Sequence, residues 1–450
     1  MVALAMTITM LAGCAGGAAK GDQQKSQDKE EATQGTTEGG DGDVHITMVE
    51  SLTSPERTEI LRNIADKFEE ENPNITIEII SPPLENADSK ITQMLMNGSG
   101  VDIVEARDST VAQYANNEWI QPLDKWIDGW SDKDTLTDAT IAAMKKINNE
   151  SYVVPYGFLW RGLYVRADWF SENNLELPTT WQEVYDAGVA LTDTSTNRFG
   201  YAFRGGTLGH QYADTVIWSY LGTDVLDYPD AGYFLKDKEG ETIFTLPETK
   251  EALEFYKKLY NDASPKDSIA WGFAEMVQGF VGGTTAMLIQ DPEVITTCEE
   301  NLEEDQWQLV PFPAGPSGEA VFPNGYGGWA MTSFTEHPDE VAAFILYLSN
   351  AENNTYFAKE YATIPIHSNA PEIDSFFKEG RFATYLEMAE NQELYRCATE
   401  PMMYNAYATF KADVDTMYQK WLTDEISTDE LLKWLDDFWV KAYQEEGKKY

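Results

Sequence analysis

Val44-His-Ile-Thr-Met-Val-Glu50, Ile75-Thr-Ile-Glu-Ile-Ile80 and Asp102-Ile-Val-Glu105 are short runs rich in apolar and β-branched residues, and the stretches between them have a different rhythm. Ser54-Pro55 reads as a helix N-cap followed by a first-turn proline. Ile60, Ile64 and Phe68, flanked by Leu61 and Ala65, then recur at helical spacing until Asn72-Pro73 stops them. Residues 86–96 predict a second helix, closing at Asn97-Gly98. Strands alternating with helices predict an α/β fold built on a mainly parallel sheet. In such sheets ligands sit beyond the carboxyl ends of the strands, so Glu50 and Ser51 share a rim with Arg107 and Asp108.

Further along, a second series begins near Val153-Val-Pro-Tyr-Gly157. Gly162-Leu-Tyr-Val-Arg166 is strand-like, and Thr180-Trp-Gln-Glu183 is a capping box opening a helix to about Thr192. Residues 248–261 and Thr428 to Gln444 predict amphipathic helices, the latter with Leu431, Leu432, Leu435, Phe438 and Trp439 on one face. Thr285-Ala-Met-Leu-Ile-Gln290 reads as a buried strand, and Pro311 to Gly318 as a crossing segment. With about 400 residues in these series, the chain exceeds what one core organises, which predicts two lobes.

Upstream, Val2 to Gly13 is apolar and ends in Leu11-Ala12-Gly13-Cys14. This resembles the bacterial lipobox, where small residues precede the cut and the following thiol carries a diacylglyceryl group. A basic n-region does not precede it, so the expected start lies upstream of Met1. Residues 15–43 are Gly, Ala, Gln, Ser, Thr and charged residues that bury too little apolar surface to fold, and they read as a tether between a lipid-anchored Cys14 and the folded part.

Composition excludes some partners. Lys and Arg total 32 against 76 Asp and Glu, a net charge of -44, and a field of that sign repels phosphate backbones, so no nucleic acid is expected. Cys298 and Cys397 are expected as free thiols, although spacing alone leaves a pairing open. The four histidines lack zinc-ligand spacing, and no metal or cofactor is expected.

In order along the chain come Ser99-Gly-Val-Asp-Ile-Val, Val154-Pro-Tyr-Gly, Gly162-Leu-Tyr-Val-Arg-Ala-Asp-Trp-Phe and Pro178-Thr-Thr-Trp-Gln-Glu-Val. Phe280-Val-Gly-Gly-Thr-Thr-Ala-Met-Leu-Ile, Pro311-Phe-Pro-Ala-Gly-Pro-Ser-Gly, Gly327-Gly-Trp-Ala-Met and Pro338-Asp-Glu-Val-Ala-Ala-Phe-Ile follow. Taken together this set resembles the family 1 extracellular solute-binding proteins, the maltose-binding-protein-like receptors of ATP-driven importers. The resemblance implies a two-lobed periplasmic-binding-protein-like fold of type II, with residues 44–156 plus 312–362 in lobe 1 and 157–311 plus 363–450 in lobe 2. It further implies a monomer that closes on a carbohydrate and delivers it to permease subunits, at the outer face of the cell membrane. Thr284 and Glu293 stand where relatives often have a lysine and a tryptophan.

A sugar needs flat aromatic platforms and paired polar groups. Trp160, beside Arg161 at the first lobe crossing, is the leading platform, with core packing as its other reading. Trp329 follows Gly325-Tyr-Gly-Gly, whose glycines would permit unusual backbone angles. Tyr156 and Tyr326 lie at the same junctions, and Glu50, Arg107 and Asp108 enter from the strand-end rule. The resemblance adds Asp291, which otherwise caps the turn at Pro292, with Tyr212 and Trp218. Arg107, Arg161 and Arg204 together point to an anionic group such as a uronate. The alternatives are a lipid-anchored surface glycosidase, which needs only two carboxylates, and a receptor for a non-sugar solute such as a peptide or polyamine.

Overall fold

The computed structural model describes residues 43–450 apart from 84–86, 146, 226–233, 235–240, 324, 379, 392, 403 and 448–450. Cys14 and most of the tether lie outside the described residues. Helix starts follow local chemistry: the Ser54 hydroxyl accepts from the Arg57 N–H at the head of helix Pro55–Glu71, and Thr180 and Glu183 close a capping box on helix Trp181–Leu191.

The strands, β1 (Val44–Val49), β2 (Ile75–Ile80), β3 (Ile103–Arg107), β4 (Val154–Leu159), β5 (Gly162–Val165), β6 (Phe199–Tyr201), β7 (Thr285–Gln290), β8 (Gln308–Val310), β9 (Ala320–Pro323), β10 (Gly325–Met331) and β11 (Tyr395–Ala398), form three sheets. The first has the order β2-β1-β3-β10-β4, the second β6-β7-β5-β8, and β9 pairs with β11. In the first, β1 runs parallel to β2 and β3, whereas β10 is antiparallel to β3 and β4. In the second, β5 is antiparallel to β7 and β8, and β6 is parallel to β7. Each sheet is therefore parallel in direction except for one strand, and in each that strand is the first the chain makes after crossing over.

Strand pairing crosses the expected lobe boundaries. The line drawn at Tyr156 runs through β4, which belongs to the first sheet up to Leu159. The segment from Phe312 to Pro323 leads into β9 and pairs with β11 instead of joining the first sheet. Past residue 362, Ile364 still bridges Phe158, and His367 bridges Leu136. Long-range pairing decides these points, and no local signal carries it. The Gly325-Tyr-Gly-Gly expectation also changes: none of these glycines has positive φ. A Cβ on Gly327 would overlap the Tyr156 ring and one on Gly328 the Val154 carbonyl, so closeness of β10 to β4 is what demands glycine.

One charge holds the first sheet to its helices. Arg57 is fully buried, with Nη1 2.5 Å from Glu50 and Nη2 3.2 Å from Glu105. Its guanidinium lies 5.0 Å from the Tyr156 ring centroid, 5.5 Å from those of Trp329 and Phe357, and 5.1 Å from that of Tyr361. The Tyr156 hydroxyl donates to Glu105 at 2.8 Å and the Ser51 N–H at 2.6 Å, while Thr58 and Ser81 hydroxyls donate to Glu50. Burial alone would lower the Arg57 pKa, but Glu105 foremost, with Tyr156, Tyr361 and Glu50, raises it above its ordinary value. Arg57→Ala leaves two buried carboxylates without their cation, and chemical denaturation should show a loss of ~3–5 kcal/mol. A loss under ~1 kcal/mol would refute this account.

Candidate functional site

β4 ends at Leu159 and β5 begins at Gly162, so only Trp160 and Arg161 span the two sheets. A connection this short leaves the carboxyl end of the first sheet facing the second. There, just past β3, Asp108 meets Gln211 and Trp218 of helix His210–Leu221, Pro323 of β9, Ala398 at the end of β11, and Thr399, Glu400 and Met402 beyond it. The gap between these side chains is about 240 Å³ with its mouth included, below the usual volume of a ligand pocket. The two sheets are drawn together across it.

On the second-sheet side, polar groups form a continuous row. Arg161 Nε lies 3.8 Å from Asp291, and its Nη2 donates to Gln211 Oε1 at 3.4 Å. Gln211 Nε2 donates to Glu400 at 2.7 Å, and the Tyr407 hydroxyl donates to the same carboxylate at 2.8 Å. His210 closes the row, with Nε2 3.1 Å from Glu400 and Nδ1 2.7 Å from Asp415. Burial would push the Glu400 carboxyl up, but the His210 charge and these hydrogen bonds bring it below the usual range. His210 itself, despite burial, is raised to about 10 by Glu400 and Asp415. Burial raises Asp291 above its ordinary value against the pull of Arg161 and Arg204. Glu293, two residues on, is raised to about 7 by burial and by Asp291.

Asp108 and Trp218 line the gap itself. Arg161 and Asp291 join it through Gln211. Tyr212 is buried beneath, its ring 4.1 Å from the Arg161 guanidinium and 5.4 Å from that of Arg204, which also donates to the Tyr212 hydroxyl at 3.3 Å. Arg107 is tied to Asp88. Glu50, Tyr156 and Trp329 belong to the Arg57 cluster, and each is at most 2% exposed. Trp160 is packed between Phe158 and Phe322, with ring centroids 5.7 and 5.5 Å away. Its core reading is the one its surroundings favour. Gln211, Glu400 and Met402 were not singled out from sequence; Gln211 stands at a helix start beside Tyr212, and nothing local marks Glu400. Cys298 and Cys397 are free thiols.

Residues 54–355 match the family model of the bacterial extracellular solute-binding proteins. The chain belongs to that family. A putative binding protein of Brucella abortus (strain 2308) is 20% identical over 349 residues, 76% of this chain and 81% of the relative. An ABC transporter solute-binding protein of Thermotoga lettingae, solved with α-D-tagatose, superposes with a TM-score of 0.71 at 18% identity, covering 89% of this chain and 99% of that one. A substrate-binding protein of Listeria monocytogenes in complex with cycloalternan gives 0.72 at 18% identity, covering 90% and 100%. These likenesses establish the two-lobed fold for this solute-binding protein. Among its described residues no helix is long and apolar enough to cross a membrane.

Two measurements follow from the site's packing. Trp160→Ala should cost ~3–5 kcal/mol of stability in a denaturant titration, as for a large core ring. An unchanged midpoint would place the ring in the cleft instead. Because the folded His210 pKa of about 10 exceeds the unfolded value of about 6.5, its contribution is complete below pH 6.5 and is lost as pH rises through 10. Thermal unfolding followed across that window should show stability falling with pH, and His210→Gln should flatten the slope. An equally steep slope in the variant would remove His210 as its source.

Proposed function

We propose that this protein captures a carbohydrate between its lobes and delivers it to the permease subunits of an ATP-driven importer, held at the outer face of the membrane by a lipid on Cys14. The observation that carries the reading is the gap in which Asp108, just past β3 of the first sheet, meets Gln211, Trp218 and Glu400 of the second side. Hydrogen-bonding carboxylates and amides beside an indole match the hydroxyls and C–H faces of a sugar. The bound tagatose and cycloalternan of the two superposed proteins support the same class.

Lobe 1 takes the first sheet with its return segment, roughly residues 44–159 and 325–377; lobe 2 takes the second sheet, β9, β11 and the C-terminal helices. The crossing at Trp160-Arg161 acts as the hinge, and ligand shifts the population toward the closed form. The protein works as a monomer and by binding alone, without catalysis.

With a sugar found by calorimetric screening, small-angle scattering should show the radius of gyration falling on saturation. Gln211→Ala should weaken binding by about tenfold, because it breaks the row between Arg161 and Glu400, and should move thermal unfolding by only a few degrees. A tight ligand that leaves the radius unchanged would count against closure, and release of reducing ends at enzymatic rates would favour the glycosidase reading.

A further inference from the structure

Glu400 is the carboxylate that the second side brings to the gap, and behind it stands one buried imidazole. His210 opens helix His210–Leu221, and Asp415 lies on helix Ala406–Leu422. Asp415 is 2.7 Å from His210 Nδ1 and accepts from the backbone N–H groups of Leu208 and His210 at 2.8 and 3.2 Å. Those bonds hold the turn into the helix, where Leu208 has a φ of 63°, in the left-handed region that a leucine rarely adopts. The ring is thus fixed from behind, and its other nitrogen, Nε2, stands 3.1 Å from Glu400.

Two acids on opposite ring nitrogens decide the protonation state. An ionised carboxylate only accepts, and a neutral imidazole donates from one nitrogen alone, so its second lone pair would face an anion. A proton on Glu400 instead is opposed by Gln211 and Tyr407, which both donate to its Oε2 and so favour the ionised form. An imidazolium satisfies both acids. Asp214, one turn along the helix, is buried with Oδ2 unmatched among the described residues. Burial foremost, with Glu400, raises its carboxyl well above the ordinary range, so of the three acids Asp214 is the one that keeps its proton.

We propose that His210 is a positioning residue for carbohydrate binding: its imidazolium keeps Glu400 an anion and fixes that carboxylate at the gap as an acceptor for a sugar hydroxyl. This rests on the carbohydrate reading above. Two donors on Oε2 leave the carboxylate lone pairs for a ligand, and a charged acceptor makes a hydrogen bond roughly twice as strong as a neutral one. Asp415, Tyr407 and Tyr418 of the last helices, Asp214 of the ring's own helix and Asp108 across the gap surround the pair, and Arg161 reaches Glu400 through Gln211. Without the imidazolium, burial and these acids push the Glu400 carboxyl up. It then takes a proton as pH falls, and sugar affinity falls with it.

The test titrates the full chain calorimetrically with glucose, galactose, mannose, maltose, mannitol and ribitol, and follows the tightest binder at about pH 8 and about pH 5.5. His210→Gln should raise the ratio of affinity at the higher pH to that at the lower at least about fivefold over the wild-type ratio. Adding Glu400→Gln should bring the ratio back within about twofold of wild type, since the titrating group is gone. An unchanged ratio in His210→Gln, with or without a uniform loss of affinity, or a raised ratio that survives Glu400→Gln, overturns the positioning role and leaves carbohydrate capture standing. Nitrogen-15 spectra of the wild-type histidine rings, with His45, His337 and His367 assigned by substitution, keep the proposal open to refutation even where His210→Gln does not fold. The His210 ring titrates at about 10, so both its nitrogens should carry protons at pH 8, and their resonances should shift on saturation with the sugar. A neutral ring at that pH, or resonances indifferent to the sugar, overturns the proposal. No binding by any of the six compounds overturns the carbohydrate reading and the positioning role with it.

Discussion

Two residues between β4 and β5 set the geometry of the whole molecule. Because Trp160 and Arg161 are all that separate one sheet from the other, the chain enters the second sheet from its interface side and must run away from it. That is why β5 opposes its neighbours, and β10, made on the return, does the same in the first sheet. Strand ends from both sheets are thereby brought face to face around the gap at Asp108.

The same constraint explains the aromatic density at the junction. Trp160 packs on Phe322, Phe322 on Phe312, and Phe312 on Trp181, so the outgoing and returning crossings share one apolar seam. A seam of rings can rotate slightly without exposing polar backbone, which suits a hinge. On either side of it the two lobes are built differently. Lobe 1 is organised around one buried guanidinium and two carboxylates, whereas lobe 2 carries the row from Asp291 and Arg161 through Gln211 to Glu400 and His210.

Local chemistry was legible in the sequence, and long-range pairing was not. Ser54-Pro55, the Thr180 capping box and the β7 run Thr285–Gln290 announce themselves within a few residues, and the structure has them where expected. The strand-end rule located the rim but could not say which side of a strand a residue faces. Glu50 was expected at the ligand on that basis, Tyr156 from its lobe junction and Trp329 from the glycines before it, and all three side chains turn inward to Arg57. A signal for this was present: Arg57 shares the helix stripe of Ile60, Leu61 and Ile64, and a cation on an apolar stripe calls for buried acids. Glu400 had no such signal, because its partners Gln211, Tyr407 and His210 come together only through the packing of the last helices.

The Gln211 amide has a consequence for turnover. Its oxygen accepts from Arg161 and its nitrogen donates to Glu400, so a single neutral side chain keeps a cation and an anion content when cargo leaves. Each hydrogen bond offered to a sugar by these groups must first be withdrawn from a neighbour. On the proposed reading, binding along this row would be an exchange of near-equals, a grip that a transporter could undo.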